Sequence, residues 1–195
     1  MGLHHIALMG KARSGKDTIA GRLVAQHAYT RLAFADHLKV TALQVDPIVS
    51  YELAGTAYLP TRLSSVVHRM GWDVAKERIP EVRRVLQRMG QGVRDLDPEF
   101  WLRPVLELVK VADQWNMPIV VTDVRYPNEV ERLSAAGFTL VRVTRSGRPD
   151  SASGEEVRTR QHASETALDG YPSDITIANE GSMSALHKAV DRLVP

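Results

Sequence analysis

Gly10-Lys11-Ala12-Arg13-Ser14-Gly15-Lys16-Asp17-Thr18 decides how this chain is read. It follows the apolar run Ile6-Ala7-Leu8-Met9, which reads as a buried first strand, and it precedes a helical pattern that sets Ile19, Leu23, Val24 and His27 on one face. Strand, glycine loop and helix is the context a phosphate-binding P-loop needs. The two glycines let backbone amides turn inward at the helix N-terminus, where the helix dipole also favours an anion. Lys16 supplies a point charge for β- and γ-phosphates. The GxxxxGK spacing is met, but the hydroxyl that commonly follows the lysine comes one residue late, because Asp17 stands there and Thr18 after it. Asp17 can meet a Mg2+ ion directly or hold one of its waters, and the sequence leaves both open. The bland alternative is a glycine-rich turn with an exposed lysine.

Outward from this loop, 195 residues suffice for one domain with a sizeable core. An apolar fraction of 44% and a charged fraction of 25% are those of a globular chain, so wholesale disorder is not expected. The absence of cysteine excludes disulfides and Cys-ligated zinc and fits a reducing cytoplasm. No stretch reads as a signal sequence or a membrane span. A net charge of +2 suits a phosphate-rich ligand but is too small to argue for stable nucleic-acid binding. The His4-His5 pair reads as incidental, since further metal ligands are not apparent.

In chain order, residues 31–35 read as a second strand, and Asp36 caps a helix to about Val45 with Leu38 and Leu43 inward. Asp46-Pro47 ends that helix. Residues 47–78 lose clear period and are punctuated by Gly55, Pro60 and Gly71, so they read as short helices and loops rather than core. A helix over about 81–93 carries the stripe Val82, Val85, Leu86 and Met89, with Arg83, Arg84, Arg88 and Arg94 near it. Asp97-Pro98-Glu99 is a helix start, and Pro104 predicts a break near residues 101–103. Residues 118–123 form a run buried on both faces and ending in an acid, as central parallel strands do. A short helix over 127–136 closes on Gly137 and leads to a strand over 138–144. The segment 146–154, rich in Gly, Ser and Pro, reads as a mobile loop. A last strand over 174–178 leads to a helix capped by Ser182 with Met183, Leu186, Val190 and Leu193 inward. Five apolar strands separated by helices, with the glycine loop after the first, predict an α/β three-layer fold around a parallel sheet. Ligands gather at the carboxyl ends of such strands. That edge carries the loop, residues 34–36, 123–125, 145–148 and 179–181, a set weighted towards charge, as phosphoryl transfer requires.

Six blocks in order carry a resemblance: Arg13 to Thr18; Phe34-Ala35-Asp36-His37-Leu38-Lys39; Leu86-Gln87-Arg88-Met89-Gly90 leading to Phe100-Trp101; Asp123 to Glu129; His162-Ala163-Ser164-Glu165; and Asp174 to Asn179. Together the chain resembles the phage-type deoxynucleoside monophosphate kinases, in which a P-loop core binds ATP, an inserted segment holds the acceptor nucleotide and a lid closes over the phosphates. The resemblance implies a core over about 1–35, 104–145 and 167–195, a helical acceptor-binding insertion over about 36–103 and a lid over about 146–166. It implies ATP on Gly10, Ala12, Arg13, Ser14, Gly15, Lys16, Asp17 and Thr18, with the Asn179 loop near adenine. Asp36, Leu38, Lys39, Arg84, Gln87, Gly90, Gln91, Arg94, Trp101, Asp123, Arg125 and Glu129 would serve the acceptor. Lys16, Arg125 and Arg148 would act on the transferred phosphate, with Arg145, Arg158 and Arg160 as further lid cations, and Asp17, Thr18 and Asp123 would stand near Mg2+. It also implies action in a host cytoplasm and is compatible with a homodimer.

Simpler roles compete at several positions. The arginines near the 81–93 helix also suit a solvated face, Trp101 a core, Asp123 a structural ion pair and His162 a hydrogen bond within the lid. Two other functions stay open. A dephospho-coenzyme A kinase shares the look of residues 174–179, and a non-catalytic nucleotide-binding P-loop protein would bind nucleotide without transfer. The identity of the base is not legible, because a few pocket hydrogen bonds decide it.

Overall fold

The computed structural model describes residues 4–145 and 166–194. In chain order the elements are β1 (Ile6–Met9), α1 (Lys16–His27), β2 (Thr30–Leu32), α2 (Phe34–Val45), β3 (Ile48–Ala54), β4 (Ala57–Arg62), α3 (Leu63–Arg78), α4 (Pro80–Leu96), α5 (Leu102–Gln114), β5 (Ile119–Val124), α6 (Pro127–Ala135), β6 (Thr139–Thr144), β7 (Ile175–Ala178) and α7 (Met183–Asp191). They group into two compact units, residues 1–34 with 105–195, and residues 35–104.

The first unit is built on a five-stranded sheet in the order β2-β5-β1-β6-β7, parallel throughout. β1 lies at its centre, with Ile6 opposite Val120 of β5 on one side and Thr139 of β6 on the other. All four β1 residues are buried, as the continuous apolar run requires of a strand covered on both faces. Ile6 and Leu8 join Ile19, Ala20 and Leu23 of α1, Val120, Val141, Val143, Ile177, and Leu186 and Val190 of α7 in one core. Ala7, Met9 and Val121 alternate to the opposite face and are equally buried. The five predicted strands and the parallel three-layer architecture are therefore present.

Several local expectations give way. Val24 and Met183 are exposed, because the buried stripes of α1 and α7 run through Ile19, Leu23 and Leu186, Val190 instead. Ser182 does cap α7, its hydroxyl accepting from Ala185 N at 3.2 Å. His5 has a place in the packing of the first unit. It is buried, it accepts from Ile119 N on Nδ1 at 3.0 Å and reaches Asp113 through Nε2 at 2.8 Å, and its ring stacks on Phe138. β2 stops at Leu32 and α2 starts at Phe34, so Asp36 lies in the first turn rather than at the cap.

The second unit departs most from the pattern. Residues 47–78 are an antiparallel hairpin, β3 with β4, followed by α3, which kinks at Gly71. The hairpin turns through Gly55-Thr56, with Ala54 paired to Ala57. A two-residue turn with glycine first is a hairpin signal, but Pro60 inside β4 masks it by reading as a breaker. The unit has its own core of Ala42, Val49, Leu63, Val66, Ala75 and Val82, with Val85, Leu86 and Met89 of α4 packed against it. At the predicted helix start, Asp97 instead caps a turn by accepting from Glu99 N at 3.1 Å and pairs with Arg103. That pairing holds the Asp97 carboxyl below the usual carboxylate range. α5 begins only at Leu102, which places Pro104 in its first turn, where no intrahelical donor is needed. Among the described residues no helix is long and apolar enough to cross a membrane.

Candidate active site

The centre of the first unit is the loop between β1 and α1. Its backbone departs from ordinary conformations at three places, Gly10 (φ 140), Arg13 (φ 62) and Gly15 (φ 111). At Gly10 a side chain would run into the carbonyl of Val143 on β6, so only glycine lets the chain leave the sheet this close to its neighbour. Arg13 has no such licence, and a non-glycine residue at positive φ costs about 1–3 kcal/mol. Successive N–H groups in such turns beside a helix N-terminus are an arrangement that can receive an anion. Ser14 and Lys16 are both buried, Lys16 at 8% exposure. The Lys16 ammonium donates to Gly10 O at 2.6 Å and Lys11 O at 2.8 Å, so the charge is curled into the loop at the first residue of α1. The Ser14 hydroxyl oxygen is buried with no hydrogen-bond partner among the described residues. A buried polar atom of that kind is costly in an apolar setting and suits a polar ligand.

Around the loop, the strand ends supply the predicted acid and base groups. Asp123, near the end of β5, accepts from Phe34 N at 2.9 Å and so fixes the start of α2. Arg125 and Asp123 are both half-buried. Glu129 is 2% exposed, and one of its oxygens accepts from Arg125 N at 2.8 Å and Tyr126 N at 3.1 Å. It therefore caps α6 and shapes the turn that carries Arg125. Asn179, expected near adenine, turns its amide onto the loop and donates to Ser14 O at 2.9 Å.

For Mg2+, Asp17 is exposed in the first turn of α1, Thr18 is half-buried, and Asp123 offers a second carboxylate. No group of three or more His, Asp or Glu gathers among the described residues. One or two hard oxygen ligands, with phosphates and water completing the rest, is how Mg2+ is ordinarily held, and oxygens of this kind are chemically suited to that ion. Lys11 pairs with Asp169 across the loop's exposed rim at 3.4 Å.

In the second unit, Leu38, Gly90 and Trp101 come together by packing. A side chain at Gly90 would meet Leu38 at 3.1 Å, and Trp101, 4% exposed, donates from Nε1 to Gly90 O at 3.1 Å. Trp101 is thus pinned to α4 by its indole N–H and stands edge-on to Phe100. The polar candidates of this unit make local contacts: Lys39 pairs with Asp36 at 3.1 Å, Arg84 with Glu81 at 2.9 Å, Gln91 bonds Asp95 at 2.6 Å, and Arg94 reaches Pro98 O at 3.4 Å. Gln87 is half-buried on α4. Arg148, Arg158, Arg160 and His162, with nearly all of the predicted lid, lie outside the described residues.

One residue the sequence should have flagged is Arg142. A lone arginine in the apolar strand Thr139–Thr144, it donates to Leu168 O at 3.2 Å and to Tyr171 O, which ties the segment before β7 to the sheet.

A parallel sheet whose central strand passes through such a loop into a helix is a P-loop kinase-like fold. The family described as deoxynucleotide monophosphate kinase matches residues 60–190, about two thirds of the chain, and the protein belongs to that family. The chain is 28% identical over 118 residues to the deoxynucleotide monophosphate kinase of Escherichia phage RB69, covering 58% of this chain and 44% of that one. It is 35% identical over 118 residues to the uncharacterized protein ORF77 of Ictalurid herpesvirus 1, covering 60% and 49%. A second protein of that virus, ORF76, is 33% identical over 103 residues, covering 52% and 41%. The matches thus span under half the length of each of these relatives.

Proposed function

We propose that this protein transfers the γ-phosphoryl group of ATP to the 5′-phosphate of a deoxynucleoside monophosphate, giving ADP and the deoxynucleoside diphosphate. The observation that carries this is the Lys16 ammonium, buried inside a strained glycine loop at the N-terminus of α1, in a chain of this family. On this reading the loop amides and α1 hold the donor's phosphates, and Lys16 leaves its two carbonyl partners to follow negative charge from the β,γ-bridge into the transition state. The acceptor phosphate is already anionic, so no strong general base is required, and positioning dominates. Arg125 meets the transferred group, with its turn fixed by Glu129. Lys39, Arg84, Gln87, Gln91 and Arg94 hold the acceptor, while Leu38, Gly90 and Trp101 set the shape against which they act. Mg2+, with Asp17, Thr18 and Asp123 as its protein-side oxygens, would supply neutralisation of the phosphate oxygens.

The test is a coupled assay with ATP, Mg2+ and each deoxynucleoside monophosphate, with dephospho-coenzyme A in the same panel. Deoxynucleoside diphosphate formed from at least one of them is the expected result. Turnover of dephospho-coenzyme A alone, or nucleotide binding without transfer to any acceptor, overturns the proposal.

A further inference from the structure

Asn179 stands immediately after β7, at the same end of the sheet as the glycine loop. Its backbone N–H donates to Thr144 O at 2.8 Å, which extends the β6–β7 ladder by one bond and fixes where the side chain starts. From there Nδ2 donates to Ser14 O at 2.9 Å, across 165 residues of sequence. The orientation of the amide is settled by chemistry, since a carbonyl oxygen can only accept and the other end of the Asn179 amide cannot donate. The contact is close as well as polar: a Cβ at Gly15 would strike this same Nδ2, well inside van der Waals contact. The side chain lies directly over the Ser14–Gly15 peptide.

In a trans peptide unit the C=O and the following N–H point to opposite sides. Holding Ser14 O on Asn179 therefore turns the Gly15 N–H away from Asn179 and fixes its direction. A free loop of this composition has many peptide orientations, and an anion would have to select one at an entropic cost. The amide of Asn179 removes that choice beforehand.

We infer that Asn179 is a positioning residue that locks the Ser14–Gly15 peptide so that the loop is preorganised for the donor's phosphates, and that it does not read the adenine base. The inference rests on taking residues 10–18 as the donor-phosphate loop, and it replaces the expected adenine contact with an action through the loop backbone.

The experiment compares the whole protein with Asn179→Ala, which removes the donor, and Asn179→Asp, which sets a carboxylate oxygen against Ser14 O. Each is titrated by calorimetry with inorganic tripolyphosphate, ATP and GTP, and the Gly15 amide is followed by 15N NMR in the ligand-free protein. Loss of one such hydrogen bond weakens tripolyphosphate binding by roughly five- to tenfold in Asn179→Ala. Asn179→Asp loses more. ATP weakens by the same factor as tripolyphosphate, the ATP-to-GTP ratio stays as in the parent, and the Gly15 amide resonance shifts. Weaker ATP binding with unchanged tripolyphosphate binding would mean a base contact and overturn the inference. So would equal affinities in all three proteins, with the loop reading left intact. If the parent protein itself binds neither tripolyphosphate nor ATP, the loop reading falls first and the inference with it.

Discussion

The Lys16 ammonium donates to two carbonyls of its own loop, Gly10 O and Lys11 O. If it stabilises charge that develops only in transfer, Lys16→Ala lowers kcat by about 100-fold or more with the fold retained. Steady-state kinetics with circular dichroism as the fold control decides this, and near-normal turnover in a folded variant would remove the loop from catalysis. Arg94 offers a second residue-level test. It is half-buried near the end of α4, and its planar fork can clasp a phosphate through two donors, which a lysine ammonium does not reproduce. Arg94→Lys is expected to raise KM for the deoxynucleoside monophosphate while KM for ATP stays nearly unchanged. A variant that loses ATP instead would place Arg94 on the donor side.

At the scale of an element, α6 depends on one buried carboxylate. Glu129 accepts from the N–H groups of Arg125 and Tyr126, two donors that a helix start leaves without intrahelical partners. Glu129→Ala leaves both unsatisfied in a buried place and should cost about 2–4 kcal/mol of stability, read from urea denaturation. Glu129→Gln keeps an accepting oxygen and should cost less than half of that. Equal losses in the two variants would mean that the charge, not the cap, is what the site requires. The β3–β4 hairpin shows the opposite economy. Tyr51, Leu53 and Tyr58 are exposed along it, so its stability comes from the ladder, from Val49, and from the Glu52–Arg69 pair rather than from burial of its outer residues.

Across the whole molecule, the first and last helices of the first unit are joined by a small charge cluster. Arg22 donates twice to Asp191, at 3.0 and 2.9 Å, and His27 reaches the same carboxylate at 2.9 Å. Arg22 first and His27 second hold the Asp191 carboxyl well below the usual carboxylate range. A depressed folded pKa means that the stabilising contribution is fully present above the unfolded value, about 3.9, and is lost as pH falls through the folded one. Asp191→Asn should therefore lower Tm at pH 7, and the gap to the parent should hold down to about pH 4 and narrow progressively below it, closing only as pH approaches the depressed folded value. Because the cluster is partly exposed, added salt should narrow the gap as well. A gap that does not narrow as pH falls below about 4 would show that Asp191 acts by packing alone.

The sequence by itself determined the layered α/β fold and the glycine loop at its centre. Strands buried on both faces must be continuous apolar runs, and residues 6–9 and 119–121 are such runs. A loop that must curl round an anion needs glycine at fixed places, and Gly10 and Gly15 stand there. What lay beyond it were the facts that depend on residues distant in the chain. The hairpin was hidden because Pro60 breaks the pattern locally, while its partner Tyr51 tolerates it in the ladder. The capping contacts of Glu129 were not legible, because what a carboxylate accepts from is set by where the preceding turn goes. The contacts of His5 with Asp113 and Ile119, and of Asn179 with Ser14, exist only once the sheet has brought those residues together. Periodicity reports burial and local chain direction, but a hydrogen bond across 165 residues exists only once the strand order β1-β6-β7 has set the two ends side by side.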